Sequence, residues 1–394
     1  MKKKAGNKSG ADAAAVLMLE DGTFYKGKSA GFSGEAAGLI TFDNSVGGYQ
    51  ELLTDPAVKG HIICMTWPEQ GNTGVNSTDA ESGAVHAAGF VAAQISRYTS
   101  SWRAEGDFRS YLIKNKVTAI DSLDVRAIVR HIIKKGEMGA VISAVDFDKT
   151  SLLKKARAAA KIKITAVSTD KEYKWDSRKK IKGLDLFSKE AVYLKVSDNK
   201  RKFKVAVFDF GIKNSTLKMF ASAGCEVIVL PADTKAGRVA ELKADGVFLS
   251  SGPGDPREMK EIQARIKQLL GKVPVFATGL GCQLMASAAG IKIDRMKAGH
   301  RGGNHSIINL ETKGVEVTSQ YHGFAINAQS LKKSKSGFKP LLIDLNDGDV
   351  EGIEAKKLKA FGIQYYPQAR PGKHDAPFVF NRFIDYMKSA KGVK

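Results

Sequence analysis

Val273-Pro-Val-Phe-Ala-Thr-Gly-Leu-Gly-Cys-Gln283 joins an apolar β-type run, Val273 to Phe276, to a Gly-rich corner. Gln283-Leu-Met-Ala-Ser-Ala-Ala289 then reads as a helix. A strand, a sharp turn and a helix in that order form the frame of a nucleophile elbow, which normally carries Ser or Cys at its tip. Here the tip position is Gly279. An isolated Gly-x-Gly is also the mark of an ordinary strand-to-helix turn, so the reading depends on what surrounds it.

Working outward, the chain from Phe203 alternates short apolar runs with helical ones. Lys204 to Phe208, Glu226 to Leu230, Gly246 to Ser250 and Val273 to Phe276 read as strands. Ser215 to Ala223, Val239 to Leu242 and Met259 to Leu270 read as the helices between them. Such alternation predicts right-handed βαβ units and a mainly parallel sheet flanked by helices. Ligands of such sheets bind at the carboxyl ends of the strands, so the loops after Ser250 and Phe276 belong on the active edge. The N-terminal half is different: Ala15 to Leu19, Leu39 to Phe42 and His61 to Met65 are β-type runs broken by Gly, with helical spacing over Asp107 to Lys114 and Asp124 to Lys135. The expected organisation is a basic tail over 1–12, a β-rich α/β domain over 13–150, a Lys-rich connector over 151–202 and an α/β domain over 203–394.

A length of 394 residues accommodates roughly two or three domains. At 43% hydrophobic and 26% charged residues, the composition is that of a globular protein rather than a disordered or membrane-spanning one. No apolar run is long enough to cross a bilayer, and the N-terminal residues lead into no apolar segment of a signal peptide. Cys64, Cys225 and Cys282 are too few and too scattered for a disulfide framework or a zinc site, which fits a reducing cytoplasm. The net charge of +21 is the outlier. Its Lys and Arg runs are dispersed and lack interleaved aromatic residues, so they read as solvated surface or as steering toward an acidic protein, and argue against nucleic acid.

Several segments in register resemble the small subunit of carbamoyl-phosphate synthetase. In the first half these are Leu19-Glu-Asp-Gly-Thr23, Gly47-Gly-Tyr-Gln-Glu-Leu-Leu-Thr-Asp-Pro56, Gly71-Asn-Thr-Gly-Val-Asn76 and Asp124-Val-Arg-Ala-Ile-Val-Arg-His131. In the second they are Asp209-Phe-Gly-Ile-Lys213, Leu249-Ser-Ser-Gly-Pro-Gly-Asp-Pro256, Gly299-His-Arg-Gly-Gly-Asn-His305, His322-Gly-Phe-Ala325 and His374-Asp-Ala376. The resemblance implies a family N-terminal domain followed by a class I glutamine amidotransferase domain. In that family a Cys attacks the side-chain amide of glutamine, a His activates the Cys, and a Glu orients the His. The ammonia passes to a large subunit, which binds ATP and Mg and makes carbamoyl phosphate for arginine and pyrimidine synthesis.

The resemblance breaks at the chemistry. Where the family elbow reads Gly-Ile-Cys-Leu-Gly-His-Gln, this chain has Ala277-Thr-Gly-Leu-Gly-Cys-Gln283; where the family has Gln-Gly-His-Pro-Glu, it has Gln364-Tyr-Tyr-Pro-Gln368. The nucleophile, base and orienting positions are therefore Gly279, Tyr366 and Gln368. Glycine cannot form a thioester, tyrosine is a poor base at neutral pH, and glutamine carries no charge to steady an imidazolium. The resemblance places glutamine contacts at Ser45, Gly252, Gly254, Leu280, Gln283, Tyr321, Gly323 and Phe324, with Gly252-Pro-Gly254 as an oxyanion-hole loop. Tyr321, Tyr365 and Tyr366 come from segments expected to line one pocket. His300 and His305 read as turn-stabilising, His322 and His374 as structural, and no metal or cofactor is expected in this chain.

The leading expectation is a small subunit that no longer hydrolyses glutamine, though it could bind L-glutamine without turnover, and that acts as a structural or allosteric partner of an ammonia-using large subunit. The alternatives are a working glutaminase remade around Cys282, about one helical turn past the tip, and a stand-alone basic binding module.

Overall fold

The computed structural model describes residues 13–159, 163, 167–175, 203–368 and 378–392. The expected tail over 1–12, most of the connector and His374 lie outside them. The chain divides into two compact units.

The first unit holds β1 (Ala14–Leu19), β2 (Phe24–Ser29), β3 (Glu35–Asp43), β4 (His61–Met65), β5 (Glu69–Gln70), β6 (Gly89–Val91), β7 (Gln94–Ile95), β8 (Thr118–Asp121) and β9 (Met138–Ser143). Seven of these close into a barrel in the order β1-β2-β8-β6-β4-β3-β9, while β5 and β7 form a separate small ribbon. Closure leaves none of the seven with a free edge. The alternation of side chains along a strand explains why β1 is apolar throughout. Ala15, Leu17 and Leu19 pack with Ile40, Ile62 and Val91 and with Ile128 and Ile132 of helix Val125–Lys135. Val16 and Met18 face the other way, onto Leu152 and Ala156 of helix Lys149–Arg157. Residues 149–157, the last seven of them at the start of the expected connector, are thus part of the first unit's core. The sequence missed this because a helix with two buried apolar residues among lysines has little amphipathic signal.

Three helices of this unit begin alike: the carboxylates of Asp107, Asp124 and Asp148 accept from the backbone N–H groups of Ser110 (2.8 Å), Ala127 (2.9 Å) and Ser151 (2.7 Å). Each such cap contributes about 1 kcal/mol.

The second unit is built on β10 (Tyr173–Lys174), β11 (Phe203–Asp209), β12 (Cys225–Pro231), β13 (Gly246–Leu249), β14 (Val275–Thr278), β15 (Ile293–Asn309), β16 (Val315–Ile326), β17 (Lys339–Asp344), β18 (Val350–Ala355) and β19 (Ala360–Ile363). Their order is β10-β12-β11-β13-β14-β19-β18-β16-β15-β17. The centre, β12-β11-β13-β14-β19, is parallel as expected. The rest is antiparallel, above all the long β15–β16 hairpin, whose register shifts twice. Its many glycines and polar residues hid it from a periodicity reading.

Alternation again sorts the core into two layers. Ala206, Phe208, Val247, Leu249, Val275 and Ala277 face helices Lys260–Leu269 and Leu280–Ala288. Val205, Val207, Phe248, Phe276 and Phe361 face helices Asn214–Ser222 and Phe378–Lys391. In this second layer Phe276 stacks on Phe361 with centroids 4.6 Å apart, and Phe220 meets Phe248 and Phe380 edge-on. Two segments from the first half of the sequence, Asn44–Lys59 and Ser77–His86, also belong to this unit. They are stitched in by hydrogen bonds from Glu81 N–H to Thr54 Oγ1 (2.9 Å) and from Asn214 N–H to the Glu81 carbonyl (2.7 Å).

Candidate functional site

The corner after β14 has the elbow geometry that its sequence predicts. Gly279 has φ 49° and ψ −119°, a conformation side chains seldom adopt, and precedes helix Leu280–Ala288 directly. Its N–H donates to the Ile363 carbonyl at 2.9 Å, which ties the tip to the end of β19. A Cβ at Gly279 would stand 3.0 Å from Ser251 Cβ, so the loop after β13 abuts the tip. Gly252 in that loop has no alternative: a Cβ there would lie 1.9 Å from the Phe210 carbonyl oxygen.

Tyr366 is buried, and its N–H donates to the Ser319 carbonyl at 2.8 Å. The Lys213 ammonium sits 4.0 Å from the centre of its ring. Burial, then the negative charge of Asp55, push the phenol well above its ordinary value, so it has no capacity to act as a base near neutrality. Gln368 is buried, and its Oε1 has no hydrogen-bond partner among the described residues. Tyr321 is buried beneath the Arg301 guanidinium, 4.0 Å from its ring centre. The expectation of three tyrosines in one pocket is corrected for Tyr365. Strand alternation turns it to the opposite face, into the layer of Phe361 and Ile363.

Of the residues expected to contact glutamine, Gln283 and Phe324 meet directly. The Gln283 amide donates to the Phe324 carbonyl (3.0 Å) and to Gln364 Oε1 (3.1 Å), so both of its N–H groups are engaged within the protein. Arg257 lies over the Phe324 ring at 5.2 Å. Ser45 and Leu280 are buried, Leu280 within the core layer. Gly323 is half-buried beside Phe324, and Gly254 adopts φ 109° in the loop after β13.

Cys282 is wholly buried in that core layer. Its Sγ would lie 2.7 Å from a Cβ on Gly362, which places the thiol against β19 rather than at the tip. Burial, then Glu351, push it above its ordinary value, away from the thiolate that attack requires.

Two charged clusters escaped the sequence reading. Lys213 is fully buried, with its Nζ 3.4 Å from Asp55 and 3.9 Å from Glu81; Glu81 also accepts from the Ser215 hydroxyl at 2.6 Å. The motifs carrying Asp55 and Lys213 were visible, but nothing in their spacing says that they meet. The second cluster corrects the reading of His300 and His305 as turn residues, since both lie on β15, where His300 pairs in register with His322 on β16. His300 Nδ1 is 2.9 Å from Gln320 Oε1 and 3.0 Å from Glu351 Oε1, and its Nε2 is 2.7 Å from Asp347. His322 Nε2 is 2.9 Å from Gln320 Oε1 and 3.3 Å from Glu351 Oε1. Burial opposes charge on His300, but Glu351 and Asp347 override it and lift the imidazole to about 10. Burial likewise opposes charge on Glu351, and His322 and His300 override it, holding the carboxyl at about 2. A single acid between apolar residues, Val350-Glu351-Gly-Ile353, was the available signal.

Comparison with known proteins agrees with this architecture. Residues 17–142 match the model of the carbamoyl-phosphate synthase small chain, CPSase domain, and residues 206–386 match class I glutamine amidotransferase. The chain is 41% identical over 378 residues to the carbamoyl phosphate synthase small chain of Syntrophotalea carbinolica, covering 95% of this chain and 98% of that one. It is 37% identical over 382 residues to that of Aquifex aeolicus, covering 96% and 99%. A glutamine amidotransferase of known structure from Thermotoga maritima aligns with a TM-score of 0.37 at 17% identity, over 48% of this chain and 83% of that one. With matches of this identity spanning both units, the chain belongs to the carbamoyl-phosphate synthase small chain family and carries a class I glutamine amidotransferase domain.

Proposed function

We propose that this chain is a carbamoyl-phosphate synthase small subunit that has lost glutamine hydrolysis and serves as a structural or allosteric partner of a large subunit that uses free ammonia. The observation that carries this reading is the elbow itself. Its backbone keeps the tip conformation, but the tip is Gly279, the base position is a buried Tyr366 against Lys213, and the orienting position is neutral Gln368. Losing a nucleophile that works as a unit with its base costs about 10⁶-fold in rate. The placement of Cys282 against β19 argues against a remade site around that thiol. The N-terminal unit, whose motifs take no part in attacking glutamine, supports a retained docking role. Its interface with the large subunit would bury at least ~1,000 Å².

The test is carbamoyl phosphate synthesis by the purified pair of subunits, with glutamine or ammonium chloride as the nitrogen source. Ammonia should support synthesis and glutamine should not, while the small subunit co-purifies with the large one at moderate salt. Glutamine-dependent ammonia release abolished by Cys282→Ala would refute the reading. So would failure of the two subunits to associate at either low or moderate salt.

A further inference from the structure

We propose that His300, His322, Gln320 and Glu351 form a buried site for one divalent transition-metal ion of the zinc type. The proposal departs from the expectation that this chain holds no metal, and it does not depend on the fate of glutamine hydrolysis.

The hydrogen-bond partners assign the protons. His322 Nδ1 lies 3.0 Å from the Phe324 carbonyl oxygen, which only accepts, so Nδ1 carries the hydrogen. His300 Nε2 lies 2.7 Å from the Asp347 carboxylate, so Nε2 carries its hydrogen. The Gln320 amide nitrogen donates to Thr318 Oγ1 (3.2 Å), whose own hydroxyl donates to the His305 carbonyl (3.0 Å), so the Gln320 oxygen faces inward. Glu351 can only accept. What remains is His300 Nδ1, His322 Nε2, Gln320 Oε1 and Glu351 Oε1, four atoms with lone pairs converging on one point. The nitrogen-to-oxygen separations are 2.9, 3.0, 2.9 and 3.3 Å, on residues no more than 6% exposed. Such a centre requires positive charge, either as a proton on each inward ring nitrogen or as one metal ion.

Three features favour the metal. Donors held at about 2.0–2.1 Å from a tetrahedral zinc stand about 3.3 Å from one another, so these separations need only a slight expansion. Each ring has its outer N–H fixed by a carboxylate or a backbone carbonyl, the arrangement that orients metal-ligating histidines. Further negative charge lies alongside: Glu351 Oε2 and Asp344 Oδ2 are buried without a hydrogen-bond partner among the described residues, and Asp344 Oδ2 is 3.9 Å from His300 Nδ1. Two imidazoles with one amide and one carboxylate oxygen suit zinc, copper or nickel rather than magnesium or calcium. A groove lined by Asp294, Gly299, His300, Asn327, Asp347 and Asp349 reaches the outer side of the His300 ring, where its Nε2 meets Asp347. The ion would fix the His322 ring, and through its Nδ1–H the Phe324 carbonyl that also holds Gln283.

The experiment uses the full chain, stripped with a chelator, dialysed, and titrated with Co²⁺ and then Zn²⁺. The expected result is one Co²⁺ per chain, with the visible bands of four-coordinate cobalt, displaced one for one by Zn²⁺. His300→Gln and Glu351→Gln should each weaken Zn²⁺ binding by at least about 100-fold while retaining the native circular dichroism. Absence of stoichiometric uptake, or affinity unchanged in both variants, overturns the proposal. If neither variant folds, nitrogen-15 spectra of the Zn²⁺-saturated parent chain decide. Loss of the proton from His300 Nδ1 and His322 Nε2 supports the site, and protons on all four ring nitrogens assign the centre to protons alone and refute it.

Discussion

Gly279→Ala places a methyl group at the tip of the elbow, and its cost can be worked from the geometry. A side chain at φ 49° and ψ −119° carries backbone strain of about 1–3 kcal/mol. The new Cβ would also stand 3.0 Å from Ser251 Cβ, in a loop that Gly252 pins against the Phe210 carbonyl. Such over-packing costs a further ~1–3 kcal/mol when the neighbours cannot retreat. The two effects together amount to about 2–6 kcal/mol, a fall of order 10 °C in the melting of the amidotransferase unit. Gly237→Ala is the control, because nothing lies within 4 Å of a Cβ there and the residue opens helix Gly237–Glu241. It should match the parent chain or exceed it slightly. Scanning calorimetry of the three proteins reads the difference. Melting of Gly279→Ala within about 1 °C of the parent would mean that the tip is neither strained nor crowded, and the account of why glycine suits it would fail. Gly279→Cys should show the same loss of stability and no glutaminase activity, since Tyr366 cannot take up the thiol proton.

Iodoacetamide at pH 8 should label none of the three cysteines in the native chain and all of them after denaturation. Each is buried, with Cys64 and Cys225 pushed up to about 12 and Cys282 raised further, so the thiolate is scarce; native labelling of Cys282 on mass spectrometry would count against its placement. Lys213→Met should destabilise the second unit by about 3–5 kcal/mol in urea melts, because Asp55 and Glu81 lose their buried counter-charge. Tyr365→Phe should be neutral or stabilising by up to about 1 kcal/mol in the same assay, since the hydroxyl it removes is buried without a partner among the described residues. Asp146 is held at about 2, below its ordinary 3.8, by hydrogen bonds from Ser151 and Lys155. Its contribution is complete above the ordinary value and is lost as pH falls toward 2, so the protection factors of helix Lys149–Arg157 against hydrogen exchange, corrected for the intrinsic rate at each pH, should fall over that window before those of the barrel.

The sequence was most legible where one periodicity ran unbroken. The parallel centre of the second unit and the elbow followed from apolar runs with Gly at their ends, and the caps at Asp107 and Asp124 precede helices whose spacing was plain. The β15–β16 hairpin was not legible, because Arg295 to His305 carries two register shifts and offers neither a period of two nor one of 3.6. The His300–Glu351 cluster shares that cause: its members come from three strands whose pairing no local pattern specifies. Tyr365 and Tyr366 show a narrower limit. Adjacent residues in extended chain face opposite ways, and only the register of β19 decides that Tyr365 enters the Phe361 layer while Tyr366 meets Lys213.

The second unit recruits residues 44–59 and 77–86 from the early part of the chain, and this makes it topologically inseparable from what precedes it. A fragment beginning at residue 203 would carry Lys213 into an apolar interior with neither Asp55 nor Glu81 to neutralise it. A fragment ending before residue 203 would leave helix Tyr49–Thr54 and those two carboxylates with nothing to fold against. On the ribosome, both acids emerge long before the lysine they will surround, so this part of the core has to wait for its cation. Single substitutions at Gly279, Tyr366 or Gln368 leave this threading intact, while a deletion that discarded residues 203–394 would strip residues 44–59 and 77–86 of the unit they fold into. The threading of the chain is itself a reason for the second unit to persist whatever happens at its elbow.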